Sequence, residues 1–259
     1  METIGLIAAM RFESDALLRL IQGWKRTAVG SFRGHSFQLE NRDCLLVTSG
    51  MGSVRAADAT RALLKKGCMH LLISFGIAGA VEDDLQIGDV VVSGNTCMLI
   101  NGFPGQLQSL VGLSETAYTA TAQALQPDGV QLLTGTAITT RGSQVVGKQL
   151  GALPHPVLEM ETAGVVQVAI ERGIPLLSIR SISDGPLNPI PIDLETVMDE
   201  EYNLRVGKMA LVILRHPQII FQSQQVMKNY RKAAEIAAKA LVAILSLPDP
   251  ITSQNRINT

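Results

Sequence analysis

Cysteine is scarce in this chain, and none of it is clustered. Cys44, Cys68 and Cys97 are the only three, with no CxxC spacing. An odd, scattered set fits reduced thiols in a cytoplasm and argues against a disulfide framework or a zinc site. Neither sign of charge is in excess, since 22 Lys and Arg stand against 23 Asp and Glu for a net charge of -1. A nucleic-acid-binding surface normally needs a basic patch, so no nucleic-acid partner is expected. Long uncharged runs are also missing. The N-terminal METIGLIAAMRFESD lacks a basic lead, and Arg11, Glu13 and Asp15 interrupt the chain directly after its short apolar run. The best spanning candidate, Met209 to Leu214, is far too short for a bilayer, so no membrane insertion is expected. The four histidines, His35, His70, His155 and His216, form no ligand pattern, and neither a metal nor a redox cofactor is implied.

What is present is ample apolar material. Hydrophobic residues make up 46% of the 259 and charged residues 17%, enough to bury a sizeable core. No linker-like stretch divides the chain, which predicts one domain over residues 1–248. After Pro248 and Pro250 a loose tail is expected, over 249–259. Short apolar runs alternate with helical spacing. Strands are predicted at Thr3 to Ala9, Thr27 to Phe32, His35 to Glu40, Cys44 to Ser49, His70 to Phe75, Asp89 to Ser93, Val130 to Thr139, Val157 to Met160 and Pro175 to Ser181. Arg33-Gly34 and Asn41-Arg42-Asp43 read as tight turns. Helices are predicted at Arg11 to Ile21, Val54 to Lys65, Thr162 to Arg172, Tyr202 to Arg215 and Val226 to Leu245, with Pro217 where a new helix can start. Continuous apolar strands alternating with helices imply an α/β fold whose sheet is covered on both faces.

In such sheets ligands bind outside the carboxyl ends of the strands. Several notable residues fall there: Ala9-Met10 with Glu13, Ser49-Gly50-Met51-Gly52, Gly76-Ile77-Ala78-Gly79, Glu159-Met160-Glu161 and Ser183-Asp184. Each signal is weak alone. A glycine turn is ordinary turn chemistry, an acid opening a helix usually serves the helix dipole, and Arg180 with Asp184 can be a plain salt bridge. Together, the segment Leu158 to Asp184 brings two acidic centres, Glu161 and Asp184, to one sheet edge. Such centres can divide the labour of holding a sugar and protonating a leaving group, which points to cleavage of a glycosidic bond.

The combination resembles the nucleoside phosphorylase and nucleosidase superfamily, especially its nucleosidases for methylthioadenosine and S-adenosylhomocysteine. The matching pieces are Ile4 to Met10 with Glu13, Ser49 to Gly52, Gly76 to Gly79 followed by Gly88 to Val92, Glu159-Met160-Glu161, and Arg180 to Asp184. The resemblance implies a single three-layer domain with a mixed, partly barrel-like central sheet flanked by helices, assembled as a homodimer or higher homo-oligomer. It also implies a small-molecule nucleoside as partner. Asp184 then corresponds to the general acid at the purine, held by Ser183, and Glu161 to the clamp on the ribose hydroxyls. Met160 and Glu159 fall beside the sugar, and Glu13 with Arg180 orients an attacking water. Gly50, Gly76, Ile77, Ala78, Ser143 and Gln144 fall on substrate-binding loops.

Two co-substrates stay open. Glu13 sits where the hydrolase pattern places its water-holding acid. The strand Leu71 to Phe75 lacks the arginine that many phosphorylases carry there, which also favours water. Arg11, Arg55 and Arg141 favour phosphate as co-substrate instead, and a catalytically inactive nucleoside-binding protein is the third possibility. The sequence departs from the methylthioadenosine-type pattern in three places. It reads Ile77-Ala78-Gly79-Ala80 where that group has Ser-Ala-Gly-Gly, it has Arg141-Gly142-Ser143-Gln144-Val145 in place of an aromatic base slot, and it carries a helical insert at about 186–225. These features resemble the hopanoid-associated nucleoside-cleaving branch, which would make the partner a lipid-linked nucleoside.

Overall fold

The first strand and helix form where the apolar pattern places them. The isoleucines and Leu6 of β1 (Glu2–Ala8) are buried, and α1 (Arg11–Leu20) turns Ala16, Leu17 and Leu18 onto the same core. The computed structural model describes residues 2–140, 150, 152–189 and 219–252. The chain continues through β2 (Lys25–Val29), β3 (Phe32–Leu39), β4 (Arg42–Thr48) and α2 (Ser53–Leu64). Next come β5 (Leu71–Ala80), β6 (Val90–Ile100), the short β7 (Phe103–Pro104) and β8 (Gln108–Ser109), and α3 (Glu115–Leu125). The last elements are β9 (Leu132–Thr139), β10 (Pro156–Glu159), α4 (Thr162–Arg172), β11 (Leu176–Asp184) and α5 (Ile219–Leu245).

One mixed sheet holds the fold. Its strand order is β10-β9-β6-β11-β5-β1-β4-β3-β2, and β10 also pairs with β5. Strands β5, β11, β6, β9 and β10 therefore close a ring, the partly barrel-like sheet expected, and β1, β4, β3 and β2 extend from it as an open wing. Strand β5 is long enough for three neighbours: Leu71–Ser74 faces β1, Gly79 and Ala80 face β10, and β11 runs parallel along most of its length. One apolar cluster joins the sheet to α1 and α5, and a second joins it to α2 and α4, so helices cover both faces. Helix α5 presents Ala233, Ala234, Ala237, Ala238 and Ala240 with Ile236, Leu241, Ile244 and Leu245, all buried. The small residues let it lie close to the sheet, and each large one stabilises the contact by about 1.5–3 kcal/mol.

Four local readings change. The chain reverses at Gly30-Ser31, not Arg33-Gly34, which pair inside β3 with Ala28 and Thr27. Gly30 has φ +60°, the left-handed geometry that tight hairpins need. The next reversal is at Glu40-Asn41, and Arg42 begins β4 with its guanidinium bonded to the carbonyls of Leu245 and Pro248. Gly76 to Gly79 is not a turn after β5 but its second half. Helix α3 fills a stretch to which the sequence assigned no helix, with Ser114 capping it by accepting from Ala117 N. The expected Tyr202 to Arg215 helix, the Pro217 start and most of the insert lie outside the described residues. Of the expected tail, residues 249–252 bond to 112–114: Ser114 N donates to Pro250 O, and Thr252 N to Gly112 O. Cys44, Cys68 and Cys97 are unpaired, and no helix among the described residues is long and apolar enough to cross a membrane.

Candidate active site

Strand β5 is notched where two acids meet it. Glu13 lies over Gly76, so a Cβ there would sit 2.3 Å from Glu13 Oε1. Asp184 lies over Gly79, where a Cβ would sit 2.7 Å from Oδ2. These glycines admit carboxylates rather than turn the chain. Glu13 is the third residue of α1 and is buried. Its Oε2 accepts from Met10 N at 2.7 Å, half of a capping box, and its Oε1 accepts from Ile77 N at 3.0 Å. Burial pushes the Glu13 pKa up, against these peptide hydrogen bonds and the charge of Arg180.

The second acidic centre is built around Arg180, on β11 and only 2% exposed. Its Nη2 donates to Glu159 Oε2 at 2.7 Å, Ser74 Oγ at 2.8 Å and Thr162 Oγ1 at 3.0 Å, and its Nη1 to Ile179 O at 3.1 Å. Nε is a buried donor without a partner among the described residues. Glu159 ends β10 and is saturated. Its Oε2 also accepts from Glu161 N at 3.0 Å, Thr162 N at 2.8 Å and Thr162 Oγ1 at 2.8 Å, while Thr139 Oγ1 donates to Oε1. Burial opposes its ionisation, but the Arg180 charge and the hydrogen bonds from Thr139, Arg180 and Thr162 hold its pKa below the usual carboxylate range. Glu161 caps α4 and has fewer partners. Its Oε1 accepts from Gly52 N at 3.0 Å, a contact set by α4 packing on the start of α2, where a Cβ on Gly164 would strike the Ser53 carbonyl oxygen at 1.9 Å. Burial, then the Glu159 charge, lifts the Glu161 pKa to about 8, with Glu13 adding and Arg180 and Gly52 opposing.

Asp184 ends β11 just past an irregularity in the β5 register. The Ser183 hydroxyl lies 2.6 Å from Asp184 Oδ1 and 3.2 Å from Ala78 O, and donates to the carboxyl. Burial raises the Asp184 pKa, and this one side-chain hydrogen bond offsets part of the shift. Tyr230, on α5, stacks on Phe12 with ring centroids 6.3 Å apart and planes 23° apart. Burial and then the charge of Asp184 push its phenol up, which places this aromatic pair beside the acid.

The fold therefore brings Glu13, Glu159, Glu161 and Arg180 into one cluster, with Asp184 and Ser183 four and three residues further along the Arg180 strand. Met160 is half-buried between the two glutamates. Ile77 N is spent on Glu13 and Ala78 O faces Ser183, so these two residues support the acids. Gly50, at φ +85°, donates its N–H to Ala9 O and lies under the Arg55 guanidinium. Ser143, Gln144 and Arg141 lie outside the described residues. Thr139, Thr162, Ser74 and the Gly52 N–H were not anticipated; Gly52 alone had a signal, in the glycine turn. The histidines also change in one respect. Folding brings His155, Glu82 and Asp84 together with ligand atoms within 4.8 Å of one another, all at least partly exposed. We assign no ion to them.

Comparison with known proteins agrees with this architecture. The family model described as the Phosphorylase superfamily matches residues 3–246. A 5'-methylthioadenosine/S-adenosylhomocysteine nucleosidase of Marinomonas sp. is 34% identical over 206 residues, covering 71% of this chain and 86% of that protein. The crystal structure of the Neisseria meningitidis 5'-methylthioadenosine/S-adenosylhomocysteine nucleosidase, in complex with methylthio-immucillin-A, superposes with TM-score 0.68 at 21% identity, covering 95% and 99% of the two chains. Futalosine hydrolase of Helicobacter pylori gives 0.67 at 18%, covering 93% and 96%. The two structures share the fold, and the family match over nearly the whole sequence makes this chain a member of the Phosphorylase superfamily.

Proposed function

We propose that the protein cleaves the N-glycosidic bond of a purine, adenosine-type nucleoside, with water as the nucleophile. The water oxygen adds to the ribose C1′ as the bond to N9 breaks, and the bonding pair leaves with the base. Asp184 passes its proton to purine N7, Glu13 takes a proton from the water, and Glu161 holds the ribose hydroxyls. A carboxyl whose pKa burial raises suits the first role because it holds its proton to higher pH than a free aspartate. Glu13, fixed by two peptide N–H groups, suits the second.

The observation that carries water over phosphate is the charge of the cluster. Phosphate sites present arginine forks open to the anion. Here the buried Arg180 is engaged by Glu159 at 2.7 Å and Glu13 faces the same charge, so the guanidinium is compensated from within the protein and is not open to a phosphate dianion. The phosphorolytic alternative draws on Arg55, whose Nη1 would lie 3.1 Å from a Cβ built on Gly50. Base release from methylthioadenosine, S-adenosylhomocysteine, adenosylhopane and inosine, with and without phosphate, tests both. We expect free base in phosphate-free buffer. Strict phosphate dependence with ribose-1-phosphate as product would replace hydrolysis by phosphorolysis, and no turnover of any of the four would leave a nucleoside-binding protein. Preference for adenosylhopane is what the hopanoid-associated reading of the 186–225 insert requires.

A further inference from the structure

Three buried carboxylates surround one buried guanidinium, and their partners are shared unequally. Glu159 takes the short Arg180 contact at 2.7 Å together with two peptide N–H groups and two threonine hydroxyls. Glu13 takes two peptide N–H groups. Among the described residues Glu161 takes one, from Gly52. If all three acids were ionised, the cluster would hold three negative charges against one positive, in a site from which water is largely excluded. Uncompensated buried charge is costly enough that such groups neutralise instead. The proton belongs where the fewest donors stabilise the anion, and that is Glu161.

We propose that Glu159 is a positioning residue that consumes the charge of Arg180 and so keeps Glu161 a neutral carboxylic acid in the ligand-free protein. Glu161 is thereby a hydrogen-bond donor as well as an acceptor towards the site, which a lone ionised carboxylate is not. Among the described residues the groups acting on it are Glu159 on β10, Arg180 on β11, Glu13 on α1 and the Gly52 N–H at the start of α2. Glu159 itself need never touch a ligand, because its acceptor positions are filled from within the protein. This charge arrangement belongs to the ligand-free protein and does not depend on which reaction the site runs.

The test is to follow glutamate carboxyl carbons by NMR as a function of pH in protein labelled at those carbons. In the wild type one glutamate should titrate well above the ordinary range, and Glu161→Gln should abolish that titration while the fold persists. In Glu159→Gln, Arg180 loses its ionised partner and turns to Glu161, whose midpoint should fall by about 1–3 pH units. A Glu159 that served only to hold the fold would leave that midpoint in place, and such a result would overturn the proposal. So would a wild-type protein in which every glutamate titrates in the ordinary range. Should Glu159→Gln not fold, Arg180→Met gives the complementary reading: with the cation gone, Glu159 loses its stabilised charge and a second high titration should appear beside that of Glu161.

Discussion

The two acidic centres meet the same strand four residues apart, at Arg180 and at Asp184, and are built by opposite means. Around Arg180 the protein spends donors heavily: two threonine hydroxyls, two peptide N–H groups and the guanidinium all donate to Glu159 and fix which acid is charged. Around Asp184 it spends almost none. Among the described residues one serine hydroxyl reaches the carboxyl, an aromatic pair stands nearby, and burial does the rest. A carboxylate that must stay ionised needs compensation for every lone pair it buries, whereas one that must keep its proton needs only to be kept from water. The contrast teaches that the buried Glu159 and the half-buried Asp184, both acids at strand ends, are tuned towards opposite charge states by the number of donors each receives.

The sharpest way to break that comparison is Asp184→Asn. An amide cannot give up the proton that a leaving purine requires, so turnover should fall by about 10²–10⁴-fold. The fold should persist, because Asn fits over Gly79 and can still bond to Ser183. Near-normal turnover, measured as base release alongside an unchanged thermal midpoint, would remove Asp184 from its role.

Next in size is Glu159→Gln, which acts on stability. Removing one member of a buried ion pair leaves Arg180 uncompensated and typically costs about 3–5 kcal/mol. That is on the order of 6–20 °C in midpoint for a domain of this size. Denaturant unfolding checks it. A loss no greater than that of an exposed pair such as Arg19 with Glu235 would mean the cluster is solvated and the donor count irrelevant.

Glu161→Gln should move the other way. Its pKa is raised in the folded protein from 4.5 to about 8, so folding takes up a proton. The wild type therefore loses stability as pH climbs through that window, and keeps what Glu161 contributes only below it. Glutamine removes the dependence, and at pH 8 the variant should be more stable by about 4 kcal/mol. Unfolding curves at pH 5 and pH 8 decide it. Equal pH dependence in wild type and variant would show that Glu161 is an ordinary ionised acid.

Much of this architecture was legible in the sequence. The apolar runs placed β1, and the strand–helix–strand segment that carries Glu159, Glu161, Arg180 and Asp184 has the α4 bounds expected, although β10 and β11 run antiparallel and do not pair as a βαβ unit would. What escaped had physical causes. Gly76 to Gly79 reads as turn chemistry because a glycine admitted for a close carboxylate inside a strand looks the same in sequence as one that turns the chain. Glu159 read as a sugar contact because it sits one residue from Met160 and two from Glu161. Only the fold reveals that Thr139, from another strand, and Arg180, from the next, have already filled its lone pairs. The donors around a buried acid come from distant parts of the chain, and no local pattern announces them.

The smallest effect probes Asp184 through its one partner. The Ser183 hydroxyl bonds to the carboxyl at 2.6 Å and lowers a pKa that burial raises. Ser183→Ala removes that stabilisation of the anion and leaves burial unopposed, so the Asp184 pKa should rise further. A hydrogen bond worth about 0.5–1.5 kcal/mol corresponds to a shift of about 0.4–1 pH unit. A general acid works while protonated, so the alkaline limb of the kcat/KM profile should move to higher pH in Ser183→Ala, with little change in the rate at its maximum. Movement of that limb to lower pH would mean that the serine stabilises the protonated form instead, accepting from the Asp184 carboxyl rather than donating to it.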